Sequence, residues 1–456
     1  MSYSTRAVTL AGTAIVGCYS LHLLWSDATT NKTKLSFSKH HGCCCCEPLS
    51  TPWKTKNVLI VGCGITGSLT ARQLHQHFNN INNQILKIDI FERASYPAGR
   101  FGARAIYKDG STAAIADVGA QVLSTVNADD FRALGGHGVT KENLRTAQSM
   151  VNSLVQENLL KLVPDTALGE TDERMIWEGL WLHYAAPKGL TSVIQALLPQ
   201  NLNVKFEVRV DSIKRLDDGR FQVCGVDRSV LTHDQQSSFS KVYDAVIICI
   251  PAPDALSISG LEALLDEPAL HVLKNVGYDS RICEAHFFDP RLRSALTKAF
   301  SNGRLEISVD DEDSLKPNHN VSYLSWQDPK RELAMDEMDT PCAIAVHSKA
   351  GRINTFEETT VDHILSQKTG LPVETIHRYR LDKKSIAWYV SQMIRPMEAV
   401  VADPPSDSSW QCLSTLSGSL VICGDFMTQS SFLGCVASAD AAAKTVLKFL
   451  GNSKKQ

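Results

Sequence analysis

The chain has almost no net charge: 46 lysines and arginines face 49 aspartates and glutamates, a balance of −3 with histidine neutral. No global basic field is present to draw in a nucleic acid. Sustained heptads and internal repeats of about 20–50 residues are also missing, which excludes coiled-coil and solenoid architectures. Zinc spacing is absent: of the thirteen cysteines, five lie near the N-terminus as Cys18 and the unbroken run Cys43–Cys46, where adjacent residues cannot all reach one ion. His40 and His41 beside the run offer adventitious metal binding at most, and Asp310 to Asp313 reads as a solvated acidic loop, so no metal is expected. The other eight cysteines fall mostly in apolar strands, as at Cys63, Cys249 and Cys423, where cysteine behaves as a small buried hydrophobe. With 43% apolar and 21% charged residues, the 456-residue chain can build two cored domains.

Long apolar runs are scarce. Ala7 to Ser26 is uncharged, bounded by Arg6 and Asp27, and near the length that spans a bilayer, although Gly12, Gly17, Ser20 and His22 weaken it. Lys32, Lys34 and Lys39 follow it, which favours a membrane anchor with the rest of the chain on the cytosolic side. A cleaved signal for secretion, an organelle-targeting segment and a non-targeting extension remain open. Cys43–Cys46 are then S-acylation candidates or a tail without a role.

The richest stretch begins at Asn57. An apolar run too short for a helix, Val58 to Val61, leads into Gly62-x-Gly64-x-x-Gly67 and then a helix-permitting segment from Ser68. Dinucleotide binding needs this order: strand, tight turn, helix N-terminus. Gly62 allows the turn, Gly64 admits a pyrophosphate to the backbone, and Gly67 packs the helix on the strand, whose first N–H groups face the anion. A second strand, Leu86 to Phe91, ends at Glu92, a carboxylate suited to both hydroxyls of an adenosine ribose. The polar loop Asn79 to Gln84 lengthens the gap beyond the usual spacing of about 20 residues.

Three distant elements separate a flavin from a nicotinamide. Gly99-Arg100 follows the acid, Asp117-Val-Gly119-Ala120-Gln121 comes next, and Leu420 to Asp425 with Phe432-Leu-Gly434 and an alanine-rich helix closes the chain. FAD is long enough to touch all three. The planar fork of Arg100 suits a diphosphate. Backbone at Gly119, Ala120 and Gln121 can run beside the ring, and Asp425 can accept from a ribitol hydroxyl. The helix after Gly434 can aim its positive end at the N1/C2 edge, where charge collects on reduction.

At these residues the chain resembles the renalase family of the flavin amine-oxidase superfamily. The matching pieces are Val58 to Leu69, Asp117 to Gln121, Asp244-Ala-Val-Ile-Ile-Cys-Ile-Pro-Ala-Pro, and Gly424-Asp-Phe-Met-Thr-Gln-Ser-Ser-Phe-Leu-Gly-Cys. The resemblance spans about Lys56 to Leu450. It implies an α/β fold: a Rossmann-type FAD-binding domain like those of flavin amine oxidases and p-hydroxybenzoate hydroxylase, plus an α+β substrate domain on a mixed sheet. The expected division is an extension over 1–55, a discontinuous FAD domain over 56–128, 200–254 and 410–450, a substrate domain over 129–199 and 255–409, and a tail over 451–456. FAD is expected noncovalently, on Gly62, Gly64, Ile65, Thr66, Gly67, Glu92, Arg93, Gly99, Arg100, Gly119, Ala120, Gln121, Val122, Gly424, Asp425 and Phe432, with backbone at Val210 receiving the adenine. Ala98 departs from the glycine usual in the family. The implied substrates are the 2- and 6-dihydro isomers of NAD(P)H, oxidised by hydride transfer to flavin N5, with O2 reduced to H2O2.

Catalytic residues are less legible. Hydride transfer from a dihydropyridine needs orientation and water exclusion rather than a general base. Amine oxidation, the alternative, calls for an aromatic pocket, for which Trp181, His183, Tyr184, Tyr379 and Trp388 are candidates, each equally well explained as core. The Ser-Gly-Gly-Cys signature of covalent flavin attachment is absent. Arg380 in His377-Arg-Tyr-Arg resembles a basic position beside the flavin, with Leu381 to Val390 reading as an insertion after it. A non-enzymatic, flavin-stabilised scaffold is the third reading.

Overall fold

Val58, Leu59 and Ile60 are fully buried because both faces of their strand are covered. They belong to β1 (Lys54–Val61), which pairs in parallel with β2 (Gln84–Phe91) on one side and with the strand Ala245–Ile248 on the other. In this computed structural model, the described residues are 54–78, 84–108, 111–126, 138–163, 181–229, 237–300, 306–308, 320–331, 339–354, 356–357, 359–395 and 411–452. The nucleotide sheet runs, edge to edge, Leu413–Thr415, Leu420–Ile422, Ala245–Ile248, β1, β2, Asn203–Lys205. Only its first pairing is antiparallel.

Alternation along β1 sorts the two covering layers. Val58 and Ile60 face the helix α1 (Ile65–Phe78) and the C-terminal helix Phe432–Asn452, in a core with Ala71, Leu74, Ala443 and Val446. Alanines along the C-terminal helix let it lie close to α1. Leu59 and Val61 face the opposite layer, where Val208, Ile213, Phe221 and Val223 pack from a three-stranded antiparallel sheet.

A second sheet is built, in order, from Glu306–Ser308, Val321–Trp326, Cys342–Ser348, Arg281–Phe288 and Arg380–Trp388. All its pairings are antiparallel, so the mixed sheet is the nucleotide one. Against this second sheet lies the hairpin Ala103–Lys108 and Ser111–Asp117. Ala114, Ala116 and Val118 pack there against Cys283, Ala285, Phe287 and Ala343 of the second sheet.

Several elements differ from the sequence reading. Alternation of apolar residues from Val204 to Val210 predicts one strand, but Glu207, with φ of 59°, ends Asn203–Lys205 and starts Val208–Arg215. The latter forms with Phe221–Asp227 the hairpin that the turn residues Asp217-Asp-Gly219 predict from sequence. The stretch Leu381 to Val390, read as an insertion, is mostly the edge strand Arg380–Trp388. Asp129 to about Leu162 reads as helical from sequence; among the described residues the helix is only Lys141–Gln156, capped by Thr140, and Lys161–Val163 is a strand. Residues 7–26, 43–46 and 310–313 lie outside the described residues. Among the described residues, no helix is long and apolar enough to cross a membrane, and no cluster of metal-ligating side chains occurs.

Candidate flavin site

The site is assembled at the carboxyl ends of the parallel strands. Gly62 leaves β1 with φ of 99°, a conformation that side chains rarely adopt. Gly67 sits in the first turn of α1, and a Cβ there would stand 2.0 Å from the Gly62 carbonyl oxygen. Ile65 and Thr66, also in that turn, are buried. Glu92, just past β2, is buried; its Oε2 accepts from the Cys63 N–H and its Oε1 from the Ala94 N–H, both at 2.8 Å. Burial raises its pKa against the lowering effect of those N–H groups. A carboxylate fixed in this way keeps lone pairs for ribose hydroxyls.

The second wall is the turn Gly99–Phe101, where a bridge joins Gly64 to Ala98 and a Cβ on Gly99 would lie 3.4 Å from the Gly64 Cα. Ala98 is fully buried in the core below. The Arg100 guanidinium donates to Asp425 Oδ1 at 2.6 Å and to the Ser391 carbonyl at 3.1 Å. Burial alone would lower the Arg100 pKa; the Asp425 charge and hydrogen bond reverse this and raise it. Arg100 and Asp425, read from sequence as separate contacts, are therefore brought together as one ion pair between the diphosphate turn and the end of Leu420–Ile422.

Gly119 lies so close to Arg100 that a Cβ would stand 1.8 Å from the Arg100 carbonyl oxygen, and Ala120 N–H donates to that oxygen at 3.0 Å. Trp388 Nε1 donates to the Val118 carbonyl at 2.8 Å. At the start of Phe432–Asn452, a Cβ on Gly434 would meet the Gln429 carbonyl oxygen at 2.2 Å. Two buried atoms beside this helix start, Thr428 Oγ1 and Gln429 Nε2, have no hydrogen-bond partner. Such orphaned groups are rare in a protein interior. With Glu92, Arg100 and the three glycine approaches in place, they are what a bound FAD would engage, and the residues present fit that group.

Behind the segment 119–121 is a buried polar network with no signal in the sequence. Lys330, fully buried, donates to the Gln121 carbonyl at 3.1 Å and to Gln121 Oε1 at 2.7 Å, and Gln327 Nε2 donates to the same Oε1 at 2.9 Å. Gln121 Nε2 is therefore the donor to His347 Nε2, 2.9 Å away, which leaves His347 Nδ1 to donate to Cys283 Sγ at 3.1 Å. Burial, with Arg281 and Lys330 adding to it, pushes the His347 pKa down to about 3. Asp117 pairs with Arg331 at 3.1 Å and accepts the Leu190 N–H at 2.9 Å. The segment Gln327-Asp-Pro-Lys-Arg reads as a charged surface turn, and only tertiary structure buries it.

Other candidates are placed elsewhere. Arg380 is ion-paired with the buried Asp362, at the opposite end of its nine-residue strand from Trp388, roughly 26 Å away at strand rise. Asp362 lies in the helix Thr360–Thr369, and pairing with it is what holds Arg380 away from the cradle. Tyr379 lies under Arg291, so it and Trp388 do not form one aromatic pocket. Tyr184 is core, paired in register with Leu123; His183 Nδ1 meets Ser124 Oγ at 2.8 Å, just beyond the half-buried Val122. The Arg93 side chain is exposed and paired with Asp254. Val210 sits on Val208–Arg215, whose first N–H donates to the Glu92 carbonyl at 2.9 Å. Phe432 is buried at the start of its helix.

The parallel sheet, the glycine turn and the Glu92, Arg100 and Asp425 cradle define a flavoprotein with a Rossmann-type fold that binds FAD noncovalently. Residues 60–134 match the NAD(P)-binding Rossmann-like domain. The chain is 24% identical to mouse (Mus musculus) renalase over 408 residues, covering 86% of this chain and 99% of that relative. A solved structure of a putrescine oxidase triple mutant, redesigned in its cofactor binding, shares the fold with a TM-score of 0.50 at 10% identity, covering 87% of this chain and 100% of that one. The chain is thus similar to renalase over most of its length and shares the fold of a flavin-dependent amine oxidase.

Proposed function

We propose that this FAD-dependent oxidase acts on the 2- and 6-dihydro isomers of NAD(P)H, returning them to NAD(P)+ while O2 is reduced to H2O2. Bound FAD supplies the two-electron acceptor for this chemistry. The chain supplies position and shielding. Gly62–Gly67 and Arg100 hold the diphosphate, Glu92 the ribose, and the segment 119–121 borders the ring, stiffened by Lys330 and Gln327. The observation that carries the reading is the state of His347, the imidazole nearest this segment. It is buried and neutral, with both ring nitrogens engaged, and so serves as scaffold rather than base. A hydride donor that carries no proton to be removed suits such a site.

Oxidation of a small amine is the competing reading, and anaerobic stopped-flow of the flavin absorbance separates the two. NADH equilibrated to contain its minor isomers is expected to bleach the flavin, with O2 restoring the colour and releasing peroxide. Bleaching by a primary amine, with none by the isomers, would overturn the proposal.

A further inference from the structure

At the floor of the flavin cradle two cysteines face each other across neighbouring strands. Cys249 follows Ala245–Ile248 and Cys423 follows Leu420–Ile422, in the register that pairs Ile248 with Ile422. The ladder continues through them: Cys423 N–H donates to the Ile248 carbonyl at 3.0 Å, and Cys249 N–H to the Val61 carbonyl at 2.8 Å. Their sulfurs are 3.3 Å apart. Neighbouring strands lie about 4.8 Å apart, inside the roughly 4.4–6.8 Å window of Cα separations that a disulfide spans. Cys423 is fully buried, whereas Cys249 is half-buried and so is the member of the pair nearer to solvent.

We propose that Cys249 and Cys423 form a peroxide-reactive thiol pair whose oxidation to a disulfide weakens FAD binding. The oxidant is hydrogen peroxide; as a product of turnover it rests on the proposed oxidase reading, while the thiol site itself does not. The Cys249 thiolate attacks one peroxide oxygen. An S–O bond forms, the O–O bond breaks and the leaving hydroxide takes up the proton that the Cys249 thiol gave up, so that the sulfur becomes a sulfenic acid, one water is released and the peroxide is reduced by two electrons. Cys423 Sγ then attacks that sulfur; the S–S bond forms, the S–O bond breaks, and the departing hydroxide takes the Cys423 proton as water. Two thiols and one peroxide give one disulfide and two waters.

The consequence for FAD follows from what the pair touches. A bond of about 2.05 Å draws the sulfurs together by more than an ångström. Cys249 backs directly onto the glycine turn: a Cβ built on Gly62 would meet its carbonyl oxygen at 2.9 Å, and one built on Gly67 would meet its Cβ at 3.4 Å. Cys423 immediately precedes Gly424 and Asp425, the partner of Arg100. Contraction therefore shifts the diphosphate turn against the Asp425 wall.

The test treats the FAD-loaded enzyme with graded hydrogen peroxide, then alkylates it under denaturing conditions for peptide mass spectrometry, with retained flavin measured after ultrafiltration. A Cys249–Cys423 linked peptide is expected to appear as flavin affinity falls about tenfold, equivalent to about 1.4 kcal/mol, both reversed by dithiothreitol. Cys423→Ala and, separately, Cys249→Ser are expected to keep their flavin under the same peroxide dose. Two singly alkylated thiols at a dose that oxidises other cysteines would overturn the proposal, as would flavin loss of equal size in both variants. Linkage under added peroxide but none during turnover on dihydronicotinamide isomers supports the thiol site and counts against the oxidase reading alone.

Discussion

Gly67 has almost no freedom in the cradle, because a methyl group there would press to 2.0 Å from a backbone oxygen that cannot move without opening the turn. Gly67→Ala is expected to weaken FAD by tenfold or more, about 1.4 kcal/mol at the least, read by fluorescence titration of the apoprotein. His347 offers a residue-scale pH dependence. Its pKa is held near 3 in the folded chain, against about 6.5 when unfolded. Between those values the unfolded state binds a proton that the folded state refuses, so stability falls as pH drops through this window, by about 1.4 kcal/mol per pH unit. Above about 6.5 neither state is protonated and the effect is absent. Denaturant unfolding from pH 7 to pH 4 is expected to show a shallower loss in His347→Gln than in the parent. Equal slopes would mean that His347 is accessible to protons when folded.

At the scale of elements, local pattern explains what the sequence could show. The turn at Gly62–Gly67, the strand from Asp244 and the hairpin across Asp217–Gly219 rest on apolar runs and glycines within a few residues of one another, and all are present. The kink at Glu207 and the strand Arg380–Trp388 were illegible for the same reason. The first is a single residue forced to positive φ so that one run can serve two sheets. The second alternates half-buried and exposed residues, and earns its place only by pairing with Arg281–Phe288. The buried Gln121, Gln327, Lys330 and His347 set joins residues more than 200 positions apart, beyond any local signal. That edge strand ends at the cradle with Trp388, whose indole N–H is held by the Val118 carbonyl. Trp388→Phe keeps most of the apolar contact and removes one hydrogen bond, so a loss of about 1 kcal/mol is expected in thermal or denaturant unfolding. A change within a few tenths would place the Val118 carbonyl in contact with water.

In the whole molecule, the segment proposed to border the flavin is also bonded to the antiparallel sheet. Asp117 reaches Arg331, and Gln121 reaches Gln327, Lys330 and His347, all in or beside the antiparallel sheet. A ligand that binds only the folded state stabilises it by about 2.7 kcal/mol at a hundredfold excess over its dissociation constant. The connectivity predicts where that stabilisation is felt. FAD is expected to slow hydrogen exchange in β1, which it abuts, and also in Arg281–Phe288 and Cys342–Ser348, which it reaches through Gln121. Lys330→Met removes the buried cation that ties Gln121 to the turn Asp328–Arg331 while keeping most of the side-chain volume. In this variant, FAD should still protect β1, but the added protection in Arg281–Phe288 and Cys342–Ser348 should shrink by at least half. Mass-spectrometric exchange with and without FAD reads both sheets in one experiment. Undiminished protection of the second sheet in Lys330→Met would mean that the sheets communicate through the apolar packing of Ala114, Ala116 and Val118 instead.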